Sequence, residues 1–79
     1  MTVRLFAQLR EAAGGAAWAC EVPAGASVRD AWDAAVGMHP ALAPFARGIA
    51  CAVNAEFATM TSRIQEGDEV AFLPPVSGG

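Results

Sequence analysis

The chain has no lysine, and it has few of the features that mark secreted, membrane-spanning or nucleic-acid-binding proteins. Its five cationic side chains are all arginines, so its only amine is the N-terminus. That makes the chain a poor acceptor in an amide-forming modification, although its own terminal carboxylate can still act as a donor. The net charge of −3 argues against a nucleic-acid partner, because nucleic-acid-binding domains are usually basic.

Cysteines are also few. Cys20 and Cys51 have no CxxC spacing and no companion histidines, and a secreted framework of this size normally carries more than one disulfide. Arg4 and Arg10 interrupt the N-terminal apolar residues, so no signal peptide is predicted. No apolar run approaches the length of a membrane span. We therefore expect a cytoplasmic protein with no membrane partner.

The sequence offers no catalytic or metal-binding constellation. His39 is the single histidine and stands next to Pro40, and one histidine with scattered acids does not form a metal site. No P-loop or other nucleotide-binding motif is present. The acidic residues that fit caps, turns and a solvated surface are Asp30, Asp33, Glu66, Asp68 and Glu69. We expect no bound cofactor or metal, and no enzymatic activity in the chain on its own.

Apolar residues, by contrast, are abundant, at 54% of the 79 positions. A domain this small buries only about 60% of the surface that its unfolded chain exposes, so it needs a high apolar fraction to be stable. We predict one packed domain over residues 1–73, followed by a tail over residues 74–79.

Two strands are predicted near the N-terminus, over residues 2–6 and 17–22, with a short helical turn over residues 8–13 between them. A strand, a glycine-containing loop and a second strand predict an antiparallel hairpin. The side chains expected on the core side are Val3, Leu5, Trp18, Cys20 and Val22. Arg4 and Phe6 are expected on the opposite face of the first strand.

The clearest helix begins at Ser27, which resembles a capping box with Asp30 three residues later. The apolar residues that follow obey the spacing of one buried helical stripe. They are Val28, Ala31, Trp32, Ala35 and Val36. Gly37 is expected to end the helix and Pro40 to prevent its continuation, with another short turn over residues 40–45.

Three more strands are predicted, over residues 49–53, 57–58 and 69–73. Their expected inward residues are Ile49, Cys51, Val53, Val70 and Phe72. Met38 and Met60 indicate packing only. The order strand, strand, helix, strand, short strand, strand predicts a two-layer α+β domain, in which a mixed sheet of four to five strands packs against one main helix.

The tail follows the last predicted strand directly. Pro74 and Pro75 end that strand and favour an extended conformation. Gly78 and Gly79 have no side chains, so this end of the chain can enter a narrow channel. We expect Gly79 to be the terminal residue and its carboxylate to be the reactive group, which needs activation by another protein. The alternative is an ordinary frayed chain end.

Three segments carry a resemblance to a known family: residues 5–11 (LFAQLRE), residues 67–72 (GDEVAF) and residues 74–79 (PPVSGG), and Val53-Asn54 also fits. The chain resembles the sulfur-carrier small subunit of molybdopterin synthase, and its predicted element order matches the ubiquitin-like β-grasp fold of that family. Trp18 and Trp32 do not correspond to positions of the family pattern.

The resemblance implies a sulfur-transfer function. In that family a ubiquitin-activating-type enzyme uses ATP to adenylate the terminal glycine, and sulfur from a persulfide then converts the carboxylate to a thiocarboxylate. The tail enters the large, catalytic subunit, where the sulfur passes to cyclic pyranopterin monophosphate in molybdenum cofactor biosynthesis. By resemblance, Gly79 carries the sulfur, Gly78 provides clearance, and two carriers assemble with a dimer of large subunits.

The resemblance also implies a partner-binding surface. Its residues are Phe6, Arg10, Phe57, Leu73, Pro74, Pro75, Val76 and Ser77. Alternation independently places Phe6 and Leu73 opposite the core residues of their strands, where large apolar side chains commonly mark an interaction site. A register shifted by one residue would instead place Phe6 or Phe57 in the core. Arg10 could pair with a carboxylate of the partner, and its separate alternative is a solvated charge at a helix end.

Two other functions remain as alternatives. A carrier for thiazole, cysteine or transfer-RNA thiolation would share the Gly-Gly ending and would be distinguished by the large subunit that co-purifies with it. A ubiquitin-like interaction module that is never activated would still bind its partners after both glycines are removed.

Overall fold

The computed structural model describes residues 1–15, 17–19, 21, 23 and 25–74, and these residues form a mixed sheet with helices. The strands are β1 (Thr2–Leu5), β2 (Ala17–Ala19), β3 (Ala50–Val53), β4 (Glu56–Ala58) and β5 (Glu69–Leu73), and the helices are α1 (Ala7–Ala13), α2 (Val28–Met38) and the 3₁₀ helix η1 (Pro40–Phe45). The predicted order of elements and the two-layer α+β arrangement are confirmed.

The sheet places the first and the last strand of the chain side by side. The strand order is β2-β1-β5-β3-β4, with β1 and β5 parallel and all other neighbours antiparallel. The predicted β1–β2 hairpin is therefore confirmed, with α1 inside its connection. Because β5 lies in the middle of the sheet, its last residue, Leu73, lies between β1 and β3.

One face of the sheet packs against α2. Val3 and Leu5 on β1 and Val70 and Phe72 on β5 are at most 2% exposed on this side. Trp32 of α2 meets Phe72 edge to face, with ring centroids 5.1 Å apart and the ring planes at 62°. A slip of one residue would have turned these strand residues to the other face, so the predicted register of both strands is correct.

The helix α2 begins at the predicted capping box. The Ser27 hydroxyl accepts the backbone N–H of Asp30, and the Asp30 carboxylate accepts the backbone N–H of Ser27 at 2.9 Å. The prediction that Gly37 ends the helix is wrong, because the helix includes Gly37 and is capped by His39. A glycine inside a helix costs only about 1 kcal/mol relative to alanine. Pro40, which disfavours helical backbone in the residue before it, sets the end instead.

Four strands differ in their bounds from the predictions. β1 ends at Leu5, one residue before Phe6, and β3 begins at Ala50, one residue after Ile49. The described part of β2 covers Ala17–Ala19, and Glu21 lies outside the strand, while Cys20 and Val22 are outside the described residues. In contrast, β4 begins at Glu56, one residue earlier than predicted. Asn54 and Ala55, with φ of 51° and 68°, complete the turn alone, so Glu56 is free to pair with the end of β3.

The two methionines that were both predicted to pack behave differently. Met60 is partly buried against the core. Met38 is 58% exposed, because it lies in the last turn of α2 beyond the buried stripe. The prediction that Met38 serves in packing is therefore wrong.

Candidate functional site

The face of the sheet opposite α2 carries a row of side chains that crosses all five strands. In the strand register, Arg4 lies beside Ala17 and Ala71, and Ala52 lies beside Ala71 and Phe57. Successive side chains of a strand alternate between faces, so this row points away from the buried residues of β1 and β5. We define the open face as Ala17, Arg4, Ala71, Ala52 and Phe57, bordered towards the end of β5 by Phe6 and Leu73.

Large apolar side chains border the alanine floor of the open face. Phe57 on the edge strand β4 is 85% exposed, and Phe6 at the end of β1 is 39% exposed. Leu73 lies opposite Ala50 of β3 and is half-buried. The predicted positions of Phe6, Phe57 and Leu73 outside the core are thus correct, and the shifted register that would have buried a phenylalanine is excluded.

Arg4 lies within the open face and is held from two sides. Its Nη1 is 3.6 Å from Oε1 of Glu69, and about half of each side chain is exposed. Its guanidinium carbon lies 5.6 Å from the centroid of the Phe6 ring, which is within the range of a cation–π contact. An exposed ion pair of this kind contributes at most about 1 kcal/mol to stability, so the fold depends little on Arg4.

Arg4 was not among the predicted site residues, although the sequence contains a signal for it. Alternation along β1 placed Arg4 and Phe6 on the same outward face. What the sequence did not show is the order of the strands, which sets Arg4 beside Ala71 and in line with Phe57.

The end of β5 lies at the border of the open face. The backbone N–H of Phe6 donates to the carbonyl of Phe72 at 3.3 Å. This bond fixes Phe6 next to the last residue pair of β1 and β5, Leu5 and Phe72. β5 ends at Leu73, and Pro74 follows it half-buried. Pro75, Val76, Ser77, Gly78 and Gly79 lie outside the described residues, and the roles predicted for them stay predictions.

Arg10 is exposed on α1, the helix that begins directly after Phe6. The chain turns out of β1 at Ala7, whose φ is 51°. The helix ends where Gly14, with φ of 75°, donates its backbone N–H to the Arg10 carbonyl at 3.0 Å. The side chain of Arg10 is therefore available on the element next to the border of the open face.

Asn54 and Asp68 hold the opposite end of β5. The Asn54 amide donates to the Asp68 carboxylate at 3.0 Å, and its side-chain oxygen accepts the backbone N–H of Glu69 at 3.0 Å. The Asp68 carboxylate also accepts the backbone N–H of Gln65 at 2.8 Å. The bond from Gln65, followed by the bond from Asn54, holds the pKa of Asp68 below its ordinary value. These bonds fix the start of β5 and so help to set its register.

Cys51 is a structural residue of the core. It is 4% exposed, and its S–H group donates to the Ala58 carbonyl of the neighbouring strand at 3.3 Å. Burial raises the pKa of the thiol, and a protonated thiol is a poor nucleophile. The predicted inward position of Cys51 is confirmed, whereas Cys20 lies outside the described residues.

Metal ligands do not cluster in residues 1–15, 17–19, 21, 23 and 25–74: these contain no group of three histidine, cysteine or carboxylate side chains placed to hold an ion. In the same residues, no helix has both the length and the apolar character needed to cross a membrane.

Comparison with known proteins identifies the family. The sequence pattern of the ThiS family matches residues 3–79 of the chain. The chain belongs to the ThiS family. It is 41% identical to small archaeal modifier protein 1 of Haloferax volcanii over the full length of both proteins. It is 34% identical to the molybdopterin synthase sulfur carrier subunit of Arabidopsis thaliana, over 98% of this chain and 80% of that protein.

The crystal structure of SAMP1 from Haloferax volcanii is similar to this chain as well. It superimposes with a TM-score of 0.87 and 40% sequence identity, covering 99% of this chain and 97% of that one. The predicted resemblance to the ubiquitin-like sulfur carriers and the predicted β-grasp fold are confirmed.

Proposed function

We propose that this chain is the sulfur-carrier subunit of a molybdopterin synthase, with Gly79 as the sulfur-bearing residue. The observation that carries the proposal is the place where β5 ends. Leu73 lies at the border of the open face, and Pro74 begins the predicted tail there. A partner that covers the open face would therefore receive the tail beside its own contact surface. The similarity to a molybdopterin synthase sulfur carrier subunit supports the same function.

The chemistry requires an activating partner. ATP converts the carboxylate of Gly79 to an acyl-adenylate with release of pyrophosphate, which makes the carbonyl carbon electrophilic. A persulfide then displaces AMP to form an acyl disulfide, and a thiol reduces its S–S bond, which leaves the thiocarboxylate of Gly79 and a new disulfide. None of these steps needs a catalytic side chain of the carrier, and the thiol of Cys51 is buried and protonated.

The large subunit of the synthase is the proposed second partner. We propose that Gly78 and Gly79 enter its active site, that Phe6, Phe57 and Leu73 anchor the carrier, and that Arg10 pairs with a carboxylate at the edge of the contact. Large apolar anchors surrounded by weaker contacts are typical of protein interfaces. The proposed assembly contains two carriers and two large subunits.

The test of sulfur loading is an intact-mass measurement. The chain is incubated with its adenylating enzyme, ATP, a persulfide donor and a thiol reductant, and we expect a mass increase equal to the exchange of one oxygen for one sulfur at Gly79. A variant that lacks Gly79 serves as the matched control and should show no increase. An unchanged mass of the full chain under conditions that load a known carrier would contradict the proposal.

A second candidate function is that of a protein modifier. The observation that favours it is the 41% identity to small archaeal modifier protein 1 across the whole chain. Activation at Gly79 would be the same, but the acceptor would be an amine of another protein, and the product would be an amide. Lacking lysine, this chain would act mainly as the donor.

The acceptor separates the two functions. An N-terminally tagged chain is purified from its own cells under denaturing conditions, and the attached proteins are identified by mass spectrometry. Gly79 joined to lysine side chains supports the modifier function. Loss of molybdopterin when Gly79 is deleted supports the sulfur carrier, and both results together would show that one activated end serves two acceptors.

A further inference from the structure

Arg4 is the one charged member of the open face as defined. Its neighbours in the row are Ala17 and Ala71, whose side chains have no hydrogen-bonding groups. β1, the strand that carries Arg4, pairs with β2 on one side and with β5 on the other. The backbone around Arg4 is therefore committed to the sheet, and the row provides no acceptor for the guanidinium.

The contacts that Arg4 makes with the described residues leave most of its N–H groups without a protein acceptor. A guanidinium has five N–H groups. The nearest oxygen of Glu69 is 3.6 Å from Nη1, beyond the usual length of an N–H···O hydrogen bond. The ring of Phe6 takes up one side of the guanidinium but accepts no conventional hydrogen bond. With its side chain 48% exposed, Arg4 is held in place, but its N–H groups are not satisfied by atoms of residues 1–15, 17–19, 21, 23 and 25–74.

Covering the open face with an apolar surface would remove this water. An arginine that loses its water needs replacement acceptors, because an unpaired buried charge is strongly unfavourable. A carboxylate is the best match, since its two oxygens accept the parallel N–H groups of the planar guanidinium. We infer that the partner of the open face is a protein with an apolar contact surface that places a carboxylate against Arg4.

This inference rests on the proposed function and adds a specificity rule to it. A partner surface that fits Phe57 and Leu73 but lacks an acceptor near Arg4 would be rejected by the cost of desolvation. The row of side chains also sets the distance between the partner's carboxylate, which faces Arg4, and its pocket for Phe57. Arg4 on β1 and Phe57 on β4 are separated by three strand spacings, or about 14 Å. The carboxylate of the partner and its pocket for Phe57 therefore lie over sheet positions that are about 14 Å apart.

The test is the affinity of the chain for the large subunit of molybdopterin synthase from the same organism, measured by calorimetry at low and high ionic strength. For Arg4→Gln we expect the Kd to rise at least about ten-fold at low salt and to lose much of its salt dependence. Arg4→Lys should recover part of the affinity, because it keeps the charge and loses the planar fork. Arg29→Gln, at an exposed arginine of α2 on the other side of the sheet, should change the Kd less than about two-fold.

Arg4→Met in a Glu69→Gln background gives the sharpest readout because, once the carboxylate of Glu69 is removed, the two possible arrangements predict opposite signs. If a carboxylate faces Arg4, methionine leaves that carboxylate unpaired and the affinity falls. If no acceptor faces it, methionine removes a desolvation cost and the affinity rises, which overturns the inference. Equal losses in Arg4→Gln and Arg29→Gln also overturn it, as a general charge effect. A wild-type chain that does not bind the large subunit at all contradicts the proposed function instead.

Discussion

At the scale of single residues, two phenylalanines have different roles: one stabilises the core, and the other is exposed on the open face. Phe72 is 0% exposed and packs against Trp32, whereas Phe57 is 85% exposed on the edge strand β4. Removing a buried phenylalanine loses both its transfer free energy and its packing contacts. Phe72→Ala should lower the free energy of unfolding by about 3–5 kcal/mol in urea denaturation. Phe57→Ala should change it by less than about 0.5 kcal/mol.

Phe57→Ala, which should have little effect on stability, should have a large effect on binding. Phe57→Ala keeps the fold and removes an anchor of the open face, so its affinity for the large subunit should fall by about ten-fold or more. A stability loss in Phe57→Ala comparable to that of Phe72→Ala would contradict the placement of Phe57 outside the core.

Cys51 gives a second prediction at this scale. Its raised pKa and burial keep the thiol protonated and covered at neutral pH, so iodoacetamide should react with Cys51 only after the chain is unfolded. Peptide mapping by mass spectrometry after alkylation, with and without urea, measures this for Cys51 separately from Cys20. The sign of the pH effect follows from the same shift: stability is lost as the pH rises above the ordinary thiol value of 9.0. Rapid labelling of Cys51 in the native chain would contradict the prediction.

At the scale of elements, the bonds of Asp68 connect the start of β5 to the turn after β3. The pKa of Asp68 is held below its ordinary value of 3.8. Asp68 therefore contributes stability that is fully present above the pKa of the unfolded chain, and this stability is lost as the pH falls through the lower folded-state pKa. In Asp68→Asn the free energy of unfolding should be reduced at neutral pH and should decline less than that of the wild type below pH 3.8.

The control for that prediction is Glu66→Gln, which removes a carboxylate from the same turn. Thermal unfolding of the wild type and both variants across the acidic range provides the comparison. If the unfolding temperatures of the wild type and Asp68→Asn change with pH in parallel, protonation of Asp68 is not coupled to folding.

The elements also show which parts of the structure could be predicted from sequence. The bounds of β5 were predicted correctly, because the turn at Gly67 and the proline at Pro74 mark both ends locally. The end of α2 was predicted incorrectly, because Gly37 can adopt the helical conformation and the helix stops only before Pro40. The outward face of Phe6 followed from alternation alone.

The row that joins Arg4 to Phe57 had no such local signal. It depends on β1 and β3 both pairing with β5, and contacts between distant segments are not encoded in any short pattern. The sequence thus predicted the three large apolar residues of the site, Phe6, Phe57 and Leu73, but not Arg4.

At the scale of the whole molecule, the central position of β5 separates the fold from its proposed reactive end. β5 pairs with β1 on one side and β3 on the other, so the domain cannot form without it. The core residues of β5 are Val70 and Phe72, and both precede Pro74. Everything in the described core is therefore complete before the tail begins.

This separation predicts that a chain ending at Pro74 folds and docks but does not carry sulfur. Its unfolding temperature should match that of the full chain within about 2 °C, because the paired strands and the α2 contacts are all retained. It should still bind the large subunit through the open face, with an affinity reduced by the missing tail contacts, and it should compete with the full chain in the synthase assay. Thermal unfolding, calorimetry and molybdopterin production measure the three properties on the same sample. A large fall in unfolding temperature would show that residues 75–79 belong to the domain, and complete loss of binding would place the docking energy in the tail.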